Sequence, residues 1–418
     1  MTTYRHNWAN NVSYCATHYH APTTVAEVQA LVRAASNVRV IGSRHSFTAV
    51  ADCPQTILSL ARLDVPVTID PIHHTATVSA GITYRELCPQ LHRAGYALPN
   101  LASLDHITVV GACMTATHGS GDALGNLATA VSALEMVTAD GERVTLSRAQ
   151  DGDRFCGVVV ALGALGVVTA VTLDLLPTFY LQQDAYEDLP WHQLVAHFDD
   201  IMAQGYSVSL FTDWQHNGVN SLWVKQRVAA EQSIAVPATY FGATVRAADR
   251  VAEPDSDRQS TVLGQPGPWH ERLPHFVLND AARPGNELQS EYFVARQHAR
   301  AALQAVAQHR AQLAPILGIT ELRTVAADQL WLSPAYEQAI VGIHFNWHHD
   351  WAGVAAFLPT LEATLAPFQP RPHWGKLFAL PPAQVRAAYP RLADFQALAR
   401  EYDPHGKFRN TFVERYLL

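Results

Sequence analysis

At 418 residues, 48% of them hydrophobic and 16% charged, the chain is too long for one ordinary core and too apolar to be disordered, so two domains are expected. Its 29 basic side chains against 37 acidic ones leave a net charge of −8, which excludes a general nucleic-acid or membrane-surface binder. The opening "MTTYRHNWANNV" has no apolar signal-peptide core, and five cysteines (Cys15, Cys53, Cys88, Cys113, Cys156) without a C-x-x-C pair argue against a disulfide framework or a zinc site, so a cytoplasmic protein is expected.

The N-terminal part alternates helices and strands. "TVAE" at Thr24–Glu27 is a capping box, followed by Val25, Val28, Leu31 and Val32 at helical spacing. The strand "VRVI" runs into the loop "GSRHS", and "TATVSAG" is a further strand. "TYRE" at Thr83–Glu86 caps a second helix ending near Gly95, which Pro89 should kink or shorten. "LEMVTADGERVTLS" is a hairpin turning on Asp140-Gly141. The uncharged run "FCGVVVALGALGVVTAVTL", interrupted by Gly157, Gly163 and Gly166, reads as a buried helix, turn and strand rather than a membrane span. Near Pro177 the texture changes. "YSVSLFTDW" and "SLWVKQRV" alternate as antiparallel strands on either side of Asn217-Gly218, and 229–286 reads as long loops. Strand "ELQSEYFV", a helix over 296–313, strands "TELRTVA" and "AIVGIHFNWH", and a helix over 351–366 follow. The tail is too short to fold alone.

Two glycine-rich stretches, Gly42–Ser46 and Gly111–Gly121, let backbone N–H groups approach a pyrophosphate, with hydroxyls from Thr115, Thr117 and Ser120 as added donors. No G-x-G-x-x-G follows a strand and no G-x-x-x-x-G-K-[ST] exists, so the Rossmann and P-loop readings fail. Singly, each stretch is readily just a turn; two in one domain point to a large phosphorylated cofactor. In the second half, period-two spacing puts Glu321 with Arg323, His344 with Asn346, and Gln289 with Glu291 on common strand faces. A solvated sheet face carries the same pattern, and so does a site that grips several hydroxyls. The adjacent histidines of "WHHD" point opposite ways on a strand, so no metal site is expected there. Only Lys225, Lys376 and Lys407 are lysines among the 29 basic residues. Since arginine effectively never deprotonates, a site needing a titratable amine must keep its lysine. Lys376 and Lys407 stand in the similar strings "HWGK" and "HGKF", whereas Lys225 lies on a strand distant from every motif, and Lys225→Arg is expected to change little.

Taken in order, "GSRHSF", "LPNLASLDHITVVGACMTATHGSG", "ALGALGVVT", "YSVSLFTDW", "GPWHERLPHF", "ELQSEY", "TELRTVAAD", "LSPAY", "RPHWGK" and "DPHGKFRN" resemble blocks of the vanillyl-alcohol oxidase superfamily of flavoproteins, and within it the alditol (xylitol) oxidase branch. The resemblance covers essentially the whole chain. It implies an α+β, two-domain fold: a PCMH-like FAD-binding domain over 1–176, an α+β substrate-binding domain with an antiparallel sheet over 177–375, and a segment 376–418 returning to the first domain. The implied cofactor is FAD, bonded covalently through its 8α-methyl to His45; the alternative for His45 is a hydrogen bond to phosphate alone. Gly42, Ser43, Arg44, Ser46, Ser103, Thr108, Gly111, Thr115, Ala116, Thr117, His118, Val168 and His373 are implied to line the cofactor. The implied activity is oxidation of the terminal hydroxymethyl group of a linear polyol such as xylitol or sorbitol, with O2 reduced to H2O2. Lys376 and His344 match the positions beside the reacting hydroxyl, and Ser103, Glu321, Arg323 and Asn346 those along the polyol. Lys376 would act as base if its site favours the neutral amine, and otherwise by stabilising alkoxide charge. Asn346 departs from the branch, where threonine stands in an "HFTW" string. A sugar-1,4-lactone (aldonolactone) oxidase or dehydrogenase, sharing the flavin loops and the H-x-G-K string, is the alternative activity. A monomer whose partners are small molecules, with no nucleic acid, membrane or metal, is expected.

Overall fold

A computed structural model describes residues 5–230, 232–246, 258–260, 262–278 and 285–418. Among the described residues, the first 176 build two small sheets, and a two-stranded ladder joins Tyr96–Ala97 to Leu176–Pro177. In one, the buried strand Thr56–Ser59 lies between parallel neighbours His18–His20 and Val38–Ile41, and Gly42 directly follows the second of these. The other is five-stranded and antiparallel, in the order Thr68–Asp70, Thr75–Ser79, Val167–Asp174, Val131–Val137, Arg143–Ser147. The hairpin expected at Asp140-Gly141 closes with Val137 opposite Arg143. The long uncharged run forms the helix Asp153–Val159, a turn, and the central strand of this sheet. Among the described residues no helix is long and apolar enough to cross a membrane.

Two local expectations need correction. At Thr24 only half of a capping box forms: Thr24 accepts from the Glu27 N–H at 3.2 Å, but the Glu27 carboxylate accepts from the Thr23 N–H at 2.7 Å instead of reaching the cap backbone. The box at Thr83 is complete, and its helix Tyr84–Arg93 ends near Gly95 as expected, with Pro89 inside it and no shortening at the proline. One missing hydrogen bond is outweighed by packing, since Tyr84, Leu87, Cys88 and Leu91 form a buried face.

The second half is dominated by one antiparallel sheet. Six long strands run side by side in the order Tyr180–Pro190, Gly218–Val228, Ser207–Thr212, Leu317–Val325, Ile340–His348 and Glu287–Ala295, with short strands at both ends. One face is apolar: Phe345 stacks on Trp347, Trp347 meets Phe357 of the helix Trp351–Leu365 edge-on, and the Tyr292 hydroxyl donates to Glu362 of that helix at 2.7 Å. The alternate residues, Glu291, Glu321, Arg323 and His344, face the other way, as period-two geometry requires. The helix expected over 296–313 is a 3₁₀ turn and two helices, Ala299–Ala307 and Arg310–Leu313, broken where the His309 ring bonds Gln312 and Thr364. Within 229–286, read as loops, the described residues include short strands and the helix Trp269–Arg272; positions 231, 247–257, 261 and 279–284 lie outside the described residues.

The tail folds back. Val38 N–H donates to the Lys407 carbonyl at 2.9 Å, Arg39 donates to the Phe408 carbonyl at 2.8 Å, and Asn410 Nδ2 donates to the carbonyls of Ala49, Val50 and Asp52. These contacts bring residues 407–410 under the strand that delivers the Gly42–Ser46 loop.

Candidate active site

A cavity of about 840 Å3 runs from the Gly42–Ser46 loop to the polar face of the large sheet. At its first end, Gly42 and Gly111 converge on one threonine. An ideal Cβ on Gly42 would lie 2.2 Å from Thr108 Oγ1, and one on Gly111 would lie 2.6 Å from the same atom. Only glycine lets these two backbone segments close on Thr108, and what they enclose is a cleft walled by main chain. Arg44 takes φ 62° in the same loop, the left-handed conformation found in backbone concavities that bind anions. Ser43, His45, Ser46, Thr115, Thr117, His118, Val168 and His373 all line the cavity beside them. Ala116 does not: it is buried behind this wall, with φ 53°. The volume lies within the range of cofactor pockets, and the glycine-rich cradle suits a pyrophosphate. The residues present therefore fit FAD. His45 packs at the mouth of the cradle, its ring 4.4 Å from Trp8 and 5.1 Å from His106.

At the other end the sheet register assembles a cluster of ionisable groups. Glu291, His344 and Glu321 lie directly opposite one another on three adjacent strands. Gly342 lies opposite Arg323, where a Cβ would come 2.9 Å from Glu291 Oε1, so glycine leaves room for the carboxylate. Lys376 arrives from a turn after Arg371–Pro372. Leu377 N–H donates to the Gln289 carbonyl at 2.8 Å, and Phe47 N–H, next to the cradle loop, donates to the Gly375 carbonyl at 2.7 Å. That last bond ties the lysine turn directly to the His45 loop.

Glu291 is the hub. Its side chain is 0% exposed. Oε2 accepts from Lys376 Nζ at 2.5 Å, and Oε1 accepts from Arg323 Nη2 at 3.2 Å and lies 3.0 Å from His118 Nε2. Burial pushes its pKa up, but Lys376, His118 and Arg323 outweigh burial and hold it well below the usual carboxylate range. Lys376 Nζ also lies 2.5 Å from His344 Nδ1. Burial pulls the lysine pKa down, opposed by Glu291. Burial, reinforced by Lys376, likewise depresses His344 and keeps it neutral. Beside this pair, Arg323 Nη1 donates to Ser103 Oγ at 3.1 Å, and Glu321 Oε1 accepts from His275 Nε2 at 2.7 Å. Arg323 and His275 outweigh the burial of Glu321 and keep it ionised. Asn346 donates to Glu287 at 2.8 Å, as does Gln289, so these side chains close the far wall of the cavity.

The geometry thus gathers Lys376, His344, Ser103, Glu321, Arg323 and Asn346 on one cavity. Sequence reasoning noted Glu291 only as a face-sharing residue and missed His275 altogether. Lys225, placed by the sequence on a strand away from every motif, is fully buried with Nζ 3.0 Å from His275 Nδ1, and is therefore two contacts from Glu321. The scarcity of lysine was the signal that could have found it.

Comparisons with known proteins agree with this architecture. A family model described as FAD binding domain matches residues 16–147, and one described as D-arabinono-1,4-lactone oxidase matches 281–416. An alditol oxidase of Streptomyces sp. (strain IKD472 / FERM P-14339) is 44% identical over 423 residues, covering 100% of both chains. An L-gulono-1,4-lactone dehydrogenase of Mycobacterium tuberculosis (strain ATCC 25618 / H37Rv) is 29% identical over 433 residues, covering 98% of each. Among solved structures, a cholesterol oxidase of B. sterolicum shares the fold with a TM-score of 0.79 over 99% of this chain and 96% of that one, at 16% identity. The α+β flavoprotein fold implied by the sequence blocks is therefore the one observed, and the chain belongs to the alditol oxidase family of FAD-dependent oxidoreductases, within the vanillyl-alcohol oxidase type.

Proposed function

We propose that this enzyme oxidises the terminal primary hydroxyl of a linear polyol, such as xylitol or sorbitol, to the aldose, and that O2 is the final acceptor. The observation carrying the reading is the cluster in which Lys376 Nζ sits 2.5 Å from both Glu291 and His344, on the same cavity as Ser103, Glu321 and Arg323. Bound FAD supplies the two-electron acceptor, whose electrons leave as H2O2. The chain's own residues handle position and protons. Ser103, Arg323 and Glu321 offer a donor–acceptor series that suits successive hydroxyls of a flexible polyol. Neutral Lys376 accepts the Nδ1 proton of His344 as His344 Nε2 takes the hydroxyl proton, and Glu291 stabilises the ammonium that results. Burial favours the neutral amine this step needs.

His45 is proposed as the covalent attachment point, supported by its position in the loop at the mouth of the cradle. The domain division is proposed at about 176 and 375, with 376–418 completing the first domain. Five cysteines, none bonded to another, favour the cytoplasm, and a monomer is proposed. The D-arabinono-1,4-lactone oxidase match over 281–416 supports a second reading, a sugar-1,4-lactone oxidase or dehydrogenase. Anaerobic mixing with xylitol, sorbitol and an aldonolactone decides between them: bleaching of the flavin by polyols and not by lactone is expected, and the reverse result would overturn the polyol reading.

A further inference from the structure

Lys225 is a buried cation that the reaction above does not use. It lies on the strand Gly218–Val228, 1% exposed, and outside the cavity wall. Its Nζ has three neighbours able to accept: the Leu273 carbonyl at 2.5 Å, the Pro274 carbonyl at 3.4 Å, and His275 Nδ1 at 3.0 Å. An ammonium has three N–H bonds and no lone pair, so this set matches it donor for acceptor. Once Nδ1 of His275 accepts, the proton of the neutral imidazole must sit on Nε2. That nitrogen lies 2.7 Å from Glu321 Oε1 and 3.2 Å from Ser209 Oγ. The same short segment also holds Ser103, whose carbonyl accepts from the N–H groups of His275 at 2.9 Å and Phe276 at 3.2 Å.

We infer that Lys225 and His275 form a positioning relay for the polyol site: the Lys225 ammonium fixes the Nε2–H tautomer of His275, and that N–H aims the Glu321 carboxylate at the substrate hydroxyls. The inference rests on the polyol reading for its substrate but not for its tautomer. Neither residue touches the substrate. A neutral amine at 225 would loosen the relay: it keeps two N–H bonds for three acceptors, loses the charge that strengthens the bond to Nδ1, and gains a lone pair able to accept from the competing Nδ1–H tautomer, which would leave a bare Nε2 against the Glu321 carboxylate. Four groups surround the amine. Burial lowers the Lys225 pKa to about 7, with Glu321 opposing and Arg323 and Arg272 reinforcing the shift. His275 is itself pushed down to about 4, by burial first and Lys225 second, so it stays neutral across that range. Polyol affinity is accordingly expected to weaken as pH rises through about 7.

The test is anaerobic flavin reduction by xylitol in the holoenzyme, read as a dissociation constant and a limiting rate. Lys225→Met is expected to weaken xylitol binding about tenfold or more, and to affect binding more than the limiting rate. His275→Gln keeps a donor at the Nε2 position that needs no tautomer control. Adding Lys225→Met to His275→Gln should therefore weaken binding by less than about threefold, and the affinity limb near pH 7 should be absent from both single variants. Wild-type affinity in Lys225→Met, or an equal loss in both backgrounds, overturns the relay. Should Lys225→Met fail to fold, nitrogen-15 chemical shifts of His275 in the wild-type holoenzyme decide the matter: the Nε2–H form below pH 7 supports the relay, and the Nδ1–H form overturns it. If xylitol and sorbitol do not reduce the wild type, the polyol reading falls, and the imidazole measurement still judges the tautomer on its own.

Discussion

The two residues on which the proposed chemistry turns make separable predictions. If His45 carries the flavin, acid precipitation of the wild type leaves the yellow colour in the pellet, and His45→Ala moves it to the supernatant; a colourless wild-type pellet would refute the covalent bond and leave the fold intact. Lys376→Arg keeps a cation near Glu291 but removes the amine able to take a proton. It should slow flavin reduction by about 10²–10⁴-fold while the flavin stays bound. The sign of the pH effect follows from burial. Because the Lys376 pKa is depressed, the neutral amine forms at lower pH than for an ordinary lysine near 10.4, so the limiting rate rises with pH with a midpoint below that value. A flat profile in the wild type would remove Lys376 as proton acceptor and leave His344 as the candidate. Lys376 was legible in the sequence because lysine is rare in this chain and because its string matches a family block. The same rarity applied to Lys225, but its alternating strand carried no motif. Its importance comes from His275, 50 positions later, a separation that no local pattern encodes.

At the scale of elements, the polar face of the sheet was legible and its register was not. Period two shows that Glu291 shares a face with Gln289, and Glu321 with Arg323. It does not show that Glu291, His344 and Glu321 line up across three strands, which depends on pairings between segments far apart in sequence. The alignment makes Glu291 a partner of both Lys376 and Arg323, so its charge should matter to stability as well as to chemistry. Removing one member of a buried charge cluster costs about 3–5 kcal/mol, because the cations left behind are neither paired nor hydrated. Glu291→Gln should therefore melt well below the wild type at pH 7. The pH dependence has a definite sign. The folded Glu291 pKa lies well below its unfolded value, so its stabilisation is complete above the unfolded value of about 4.3 and disappears as pH falls through the folded one. The gap in melting temperature between Glu291→Gln and the wild type should narrow on acidification within that window. A gap independent of pH would mean that the substitution acts through packing alone.

Across the whole molecule, the change of texture near Pro177 marked where a new sheet begins, and the length of the tail required it to pack on something already folded. Which surface receives it was not readable from composition. The structure gives the physical reason for the contact: the strand Val38–Ile41 is the edge of its sheet, and its first amide finds an acceptor at Lys407. Asn410 then bonds three carbonyls, of Ala49, Val50 and Asp52, while its Oδ1 accepts from the Val413 N–H and caps the helix Thr411–Tyr416. The segment it grips begins three residues beyond the cradle loop, so the tail is positioned to hold the flavin loop from below. Asn410→Ala loses a helix cap, costing about 1 kcal/mol, and leaves buried carbonyls short of a donor, costing about 1–3 kcal/mol more. Thermal melting should fall, and flavin fluorescence should rise at a lower temperature than in the wild type, with polyol kinetics at low temperature little changed. Asn410→Ser separates the two contributions. Serine can cap the helix but lacks an amide to reach the three carbonyls, so it should recover only the smaller part of the loss. If serine restored the full melting temperature, the cap alone would explain the residue. The tail would then contribute nothing to the cradle through Asn410, and the bonds from Val38 to the Lys407 carbonyl and from Arg39 to the Phe408 carbonyl would be left to link them.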